Sequence, residues 1–160
     1  MSIKQLFAKR WAKRAINSTN KWAKNPIQMQ EKVLKMLLQK AKNTAFGQDH
    51  GFAQIDNYED FAKQVPVRDY EGIRSYVDRV VAGEADILWP GKPRYFSKTS
   101  GTTSGVKYIP ISKESMPTHI KTAQNALFHY IHHSGNTSFV DGKMIFLQGS
   151  PILSKTNGID

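Results

Sequence analysis

The chain contains no cysteine, and that absence removes disulfide cross-links, thiol nucleophiles and cysteine-based zinc sites together. It also gives no support for an oxidising compartment. No apolar run approaches the roughly 20 residues a helix needs to span a bilayer, and there is no secretory h-region. Acidic residues are scarce at one end: across residues 1–43, eleven lysines and arginines stand against Glu31 alone, whereas the rest of the 160 residues is balanced. The formal net charge of +10 therefore resides on the N-terminal segment. Hydrophobic residues make up 39%, a little low for a globular domain, and a chain of this length buries about 70% of its unfolded surface, enough for one core. A cytoplasmic location is expected.

What the chain does have is a run of hydroxyls and glycines closed by a lysine, Thr99-Ser100-Gly101-Thr102-Thr103-Ser104-Gly105-Val106-Lys107. The run lies between Arg94-Tyr95-Phe96 and Tyr108-Ile109-Pro110-Ile111, both β-prone, and so reads as a polar loop joining two strands. Gly101 and Gly105 allow close approach of a ligand to backbone N–H groups, Ser100, Thr102, Thr103 and Ser104 add neutral donors, and Lys107 adds a mobile charge. Together these are the donors a triphosphate needs. The Walker A spacing is absent, because three residues separate Gly101 from Gly105 and Val106 intervenes before Lys107. A strand-loop-strand setting also differs from the helix N-terminus on which P-loop enzymes seat their anion.

Residues Phe96 to Lys107 match, without a gap, the phosphate-loop signature of the acyl-adenylate-forming superfamily, with Val106 where many members carry proline. Thr44-Ala45-Phe46-Gly47, Phe61 to Tyr70, Leu88-Trp89-Pro90-Gly91 and Tyr108-Ile109-Pro110-Ile111 follow the order of one branch. The chain resembles the Gretchen Hagen family of acyl acid-amido synthetases, the auxin-responsive family of plants, and its bacterial relatives more than its plant members. That resemblance implies an α/β fold, the N-terminal part of an adenylate-forming (ANL-like) large domain with a helical N-terminus followed by mixed strands and helices. It implies activation of a carboxylic acid with ATP and Mg2+ to an acyl-adenylate and pyrophosphate, then amide formation with an amino acid or another amine. Thr99, Ser100, Gly101, Thr102, Thr103, Ser104 and Gly105 would hold the ATP phosphates, and Lys107, the catalytic candidate, would meet the departing pyrophosphate or help order the loop. No residue is assigned to a metal. Family members are much longer, so the end at Asp160 reads as a truncation that lacks the C-terminal domain, and the chain alone is expected to be inactive.

Two domains are expected: residues 1–45 as a basic helical hairpin packed on the main body, and 46–160 as the beginning of the ATP-binding domain. Ile3, Leu6, Phe7 and Trp11 recur at three- and four-residue spacing, which predicts an amphipathic helix with a basic outer face. Pro26 suits the first turn of a second helix carrying Val33, Leu34, Leu37 and Leu38, with Gly47 beyond its end. The basic surface has three readings: a solvated face, a membrane-surface contact, or nonspecific nucleic-acid binding. The rival to an enzyme is accordingly a noncatalytic basic module that docks on acidic membrane or nucleic acid through residues 1–43. A specific nucleic-acid site is not expected.

Local signals complete the frame. Asn57 caps a helix from Tyr58 to Gln64 that stops before Pro66, and Asp69 caps one that buries Ile73, Tyr76, Val77 and Val80 and ends before Gly83. Ser112 is the expected cap of a helix to about His133, with Ile120, Ala123, Leu127, Tyr130 and Ile131 as its apolar stripe and Gly135 as its stop. Lys143 to Gln148 reads as a buried strand. His129 and His133 have ligand spacing, but no helical glutamate accompanies them and both lie near a helix end, where histidine serves the terminus. Tyr95, Phe96 and Tyr108 are read as packing residues beside the loop.

Overall fold

The structure is a computed structural model, and it describes residues 2–99, 105–143 and 145. Its elements run α1 (Ile3–Ala23), α2 (Pro26–Ala41), α3 (Ala45–Asp49), α4 (Tyr58–Gln64), α5 (Tyr70–Val81), β1 (Tyr95–Thr99), β2 (Lys107–Ile111) and α6 (Met116–Ser134), with 3-10 turns at Phe52–Gln54 and Ser138–Asp141. The described residues form two compact units, one from 2–26 and 116–145, the other from 27–99 and 105–115. Among them no helix is long and apolar enough to cross a membrane. The strand expected over Lys143 to Gln148 lies largely outside the described residues.

In the first unit α1 packs along α6. Ser2 caps α1 by accepting the Gln5 N–H. Its buried face is Ala8, Ala12 and Ile16, one residue per turn, and Ala8 and Ala12 join Ile131 of α6 in a core flanked by Phe128, Phe139 and Val140. The stripe expected from spacing is not the buried one. Ile3, Phe7 and Trp11 are 75%, 52% and 52% exposed, and of the α6 stripe only Ile131 is buried, with Ile120, Leu127 and Tyr130 exposed. Small residues win the contact because alanine lets two helix backbones approach closely, which leaves Trp11 at the margin, edge-on to Phe128.

Asp141 ties the start of α1 to the turn after α6, accepting from the Ser2 hydroxyl at 2.7 Å and from the Gln5 side-chain amide. Those hydrogen bonds, Ser2 first, hold its carboxyl below the usual aspartate range against a smaller opposing effect of desolvation. A depressed folded pKa stabilises above the ordinary carboxylate range and the benefit is lost as pH falls through the depressed value. The protection of the amides at the start of α1, taken as the ratio of intrinsic to observed exchange rate, should therefore fall below about pH 4, and Asp141→Asn should already show low protection at neutral pH with a flattened acid response. Protection that ignores both pH and the substitution would refute the tie.

In the second unit the buried apolar residues are Val77 and Val80 of α5 together with Leu38, Ala41, Ile55 and Ile87. Asn57 and Asp69 cap α4 and α5 as their sequence context indicates, accepting from Asp60 N–H and Gly72 N–H. Phe46 stands at the centre of an aromatic group, stacked on His50 at 4.0 Å and edge-on to Phe52 and Tyr76. The Thr44–Gly47 stretch proves to be a structural knot. The buried Thr44 hydroxyl donates to Ala41 O at 2.7 Å and accepts from Gly47 N–H at 3.0 Å, while Ala45 and Phe46 N–H reach Asp86 and Ile87 carbonyls. Gly47 thus lies inside α3. Thr44→Val keeps the shape and removes both side-chain hydrogen bonds, so urea unfolding should register a loss of about 1 to 2 kcal/mol. An unchanged midpoint would show the hydroxyl to be idle.

The helix assigned to begin at Ser112 starts one turn later. Ser112 and Ser115 close a turn on each other, hydroxyl to N–H and hydroxyl to carbonyl, both at 3.0 Å, and α6 begins at Met116 with Pro117 in its first turn. Gly135 follows its end.

Candidate functional site

The β1–β2 hairpin positions the phosphate-loop candidate. The strands are antiparallel with Tyr95 opposite Ile111, Phe96 opposite Pro110, Ser97 opposite Ile109, Lys98 opposite Tyr108 and Thr99 opposite Lys107. Seven residues join the last pair, more than the two to five of ordinary hairpin turns. Ser100, Gly101, Thr102, Thr103 and Ser104 lie outside the described residues. Thr99 ends β1 with its side exposed, and Gly105 has φ +78° with open space where a Cβ would stand. That conformation suits glycine and leaves the backbone uncovered.

Opposite residues of an antiparallel pair share a face, and alternate residues along a strand face opposite ways. Lys107 therefore shares the face of Thr99, and Lys98 the other, with Tyr108. Each ammonium is seated on an aromatic ring. Lys107 Nζ lies 5.4 Å from the Tyr70 ring centroid and Lys98 Nζ 5.3 Å from that of Tyr108. The ring of Tyr108 is braced edge-on by Phe96, in keeping with a packing role for both. Among the described residues neither lysine has a carboxylate partner at ion-pair distance.

Tyr70 is the first residue of α5, fixed by the Asp69 cap. Its hydroxyl accepts the Tyr108 N–H at 2.9 Å and donates to the Tyr108 carbonyl at 3.5 Å, so it occupies the edge of β2 one residue after Lys107. Beside it Arg74 lies 5.5 Å from the same ring and is held by Glu71 through two short hydrogen bonds, 2.6 and 2.7 Å. The Glu71 carboxyl sits below its usual range, first through the Arg74 hydrogen bond and in smaller measure through the charges of Arg74 and Lys107, with desolvation opposing. Arg74 is neutralised locally; Lys107 is the cation left over. Sequence reading singled out Lys107 but missed Tyr70, because the two are brought together only by the docking of α5 on β2.

The other candidates take ordinary roles. Thr19 Oγ1 lies 3.3 Å from His129 Nε2, and the His129 and His133 rings are stacked 6.2 Å apart. Among the described residues no three His, Asp or Glu side chains converge as a metal site. A cavity of about 140 Å3 beside β2 is lined by Val80, Ile87, Trp89, Pro93, Pro110 and Ser112 among others. It is smaller than the pockets that hold nucleotide-sized ligands.

A sequence model described as the GH3 family N-terminal domain matches residues 15–159. The indole-3-acetic acid-amido synthetase GH3.15 of Arabidopsis thaliana is 37% identical over 94 residues, covering 58% of this chain and 16% of that protein. The jasmonoyl-L-amino acid synthetase JAR6 of Nicotiana attenuata is 30% identical over 95 residues, with the same coverage. Among solved structures, the GH3.15 acyl acid amido synthetase in complex with 2,4-DB superposes with a TM-score of 0.69 at 28% identity, over 76% of this chain and 22% of that one. A second GH3.15 structure gives 0.67 at 28% identity, over 84% and 24%. The match thus spans about a sixth of the curated relatives and less than a quarter of the solved chains.

Proposed function

The chain belongs to the GH3 family, whose N-terminal domain matches most of its length, and from that premise we propose that it supplies the phosphate-binding loop of an ATP-dependent acid–amine ligase. In this reading residues 46–160 open the ATP-binding domain, following the basic segment 1–45, and the protein works in the cytoplasm on a small carboxylic acid and an amine acceptor. The observation that carries the reading is Lys107: a cation without a carboxylate partner among the described residues, at the return end of a hydroxyl- and glycine-rich loop, opposite Thr99. The relatives' names, an indole-3-acetic acid-amido synthetase and a jasmonoyl-L-amino acid synthetase, support this class of reaction.

The chemistry asks for such a loop. A carboxylate oxygen attacks the α-phosphorus of ATP, the bond to the β-phosphate oxygen breaks, and pyrophosphate leaves with the electron pair. An amine nitrogen then attacks the acyl carbon and AMP departs. Both steps gather negative charge, and fixed donors stabilise it without reorganising at the moment of reaction. In the proposed roles Thr99, Ser100, Thr102, Thr103 and Ser104 donate hydroxyls, Gly101 and Gly105 leave backbone N–H groups uncovered, and Lys107 meets the leaving pyrophosphate. Mg2+, when bound, would neutralise phosphate charge. This ion habitually binds through substrate phosphates and few protein ligands.

ATP–pyrophosphate exchange over a panel of carboxylic acids, measured on the chain and on any longer reading frame that contains it, tests the reading. Acid-dependent exchange supports it, and the responding acid identifies the substrate. Silence with every acid, alongside salt-sensitive binding of residues 1–43 to anionic vesicles, would replace it with a basic docking module.

A further inference from the structure

We infer that Tyr70 is a positioning residue for Lys107, acting on the phosphate loop from outside it; the inference rests on the phosphate-binding reading given above. Two independent contacts converge on this one side chain. Its hydroxyl accepts the N–H of Tyr108, the residue next to Lys107, and so pins the edge of β2 at that point. Its ring lies under the Lys107 ammonium at 5.4 Å, within the range where a cation is drawn to an aromatic face. A lysine has four rotatable side-chain bonds and loses much of its reach to disorder. Fixed at its backbone by one end of Tyr70 and at its charge by the other, Lys107 retains N–H donors for an anion without having to be ordered by it.

The neighbours favour this arrangement over an ordinary ion pair. Glu71 is the acid of α5 that feels the Lys107 charge, and Arg74 occupies both of its oxygens. Arg74 also approaches the Tyr70 ring, but its charge is already met by Glu71, so the seat serves Lys107. Had Glu71 taken Lys107 instead, the lysine would present a neutralised charge to the phosphates. The aromatic seat holds the cation and leaves the charge intact. The capped start of α5 gives Tyr70 a fixed backbone, which a loop tyrosine would lack.

The test is a double-mutant cycle on ATP and pyrophosphate affinity by calorimetry, joined to the NMR shift of the Lys107 side-chain methylene next to the ammonium. Ring current from Tyr70 should move that shift upfield. Tyr70→Leu should return it to the ordinary lysine position and weaken pyrophosphate binding about 3- to 30-fold, the worth of a cation–π contact. Tyr70→Phe, which keeps the ring, should preserve most of the shift and lose less affinity. In a Lys107→Ala background Tyr70→Leu should cost less than about twofold, because a residue acting through Lys107 has nothing left to act on. Equal losses in both backgrounds would make Tyr70 a general structural residue and overturn the inference. If Lys107→Ala itself leaves affinity unchanged, the phosphate-site reading fails, and the positioning role fails with it. An unshifted lysine signal together with normal Lys107 dependence would overturn only the role of Tyr70.

Discussion

Replacing Lys107 by alanine is expected to weaken ATP and free pyrophosphate binding about 10- to 100-fold while leaving adenosine binding as it was. The magnitude follows from a hydrogen bond to a charged group, worth about 1.5–3 kcal/mol, at tenfold for each 1.4 kcal/mol. Lys107 is the cation of the hairpin on the Thr99 face, and among the described residues no carboxylate lies at ion-pair distance from it. Its loss should also flatten the salt dependence of pyrophosphate binding, because the neutral donors that remain are less screened. Lys107→Arg should recover much of the affinity, because the guanidinium keeps the charge and stacks on an aromatic face as readily as an ammonium does. Calorimetric titration with adenosine, ATP and pyrophosphate separates the cases. Equal losses for all three would mean that the substitution damages the fold, and no loss for any would remove Lys107 from the site.

How far the sequence could be read depends on the distance over which each feature is decided. Asn57 and Asp69 announce α4 and α5 because a cap is settled within four residues, by a side-chain oxygen and an N–H three positions on. Ser112 offers the same chemistry, but its hydroxyl closes a turn with Ser115 and the helix waits for Met116. Spacing identifies α1 as a helix without telling which face meets a neighbour. Ala8, Ala12 and Ile16 are buried because α6 can approach there, a fact about α6 that the pattern of Ile3, Leu6, Phe7 and Trp11 does not contain.

The candidate site divides in the same way. The loop was legible as a contiguous motif, and Lys107 with it. Its partner Tyr70 was visible only as one residue of the stretch from Phe61, since 37 positions separate the two in the chain and only α5 against β2 brings them together. Arg74 and Glu71, three apart on one helix, could have been paired from spacing alone. What spacing could not say is that their mutual neutralisation leaves Lys107 uncompensated. The candidate motif was therefore easier to find than the contacts around Lys107.

Gly47→Ala should be the most damaging single-methyl change in the second unit, on the order of 3 kcal/mol, the upper part of the range for overpacking. A Cβ there would stand 2.1 Å from the Ala41 carbonyl oxygen and 2.9 Å from its carbon. Both are backbone atoms at the end of α2, and Thr44 holds that carbonyl through its own N–H and its hydroxyl. The clash cannot be relieved by turning a side chain, so the α2–α3 junction must open, taking with it the bonds from Ala45 and Phe46 to Asp86 and Ile87. Gly72→Ala is the matched control. Its Cβ would meet the Arg68 Cβ at 3.0 Å and its Cγ and Cδ at 3.3 and 3.4 Å, contacts that a shift of about a few tenths of an ångström relieves, and alanine gains about 1 kcal/mol of helix propensity, so its net change should stay within about 1 kcal/mol. Urea unfolding of the two variants side by side decides the matter. A large loss at Gly47 with near-neutrality at Gly72 places the constraint in the backbone approach, whereas equal losses would mean that glycine flexibility matters at both positions and the close contact at neither.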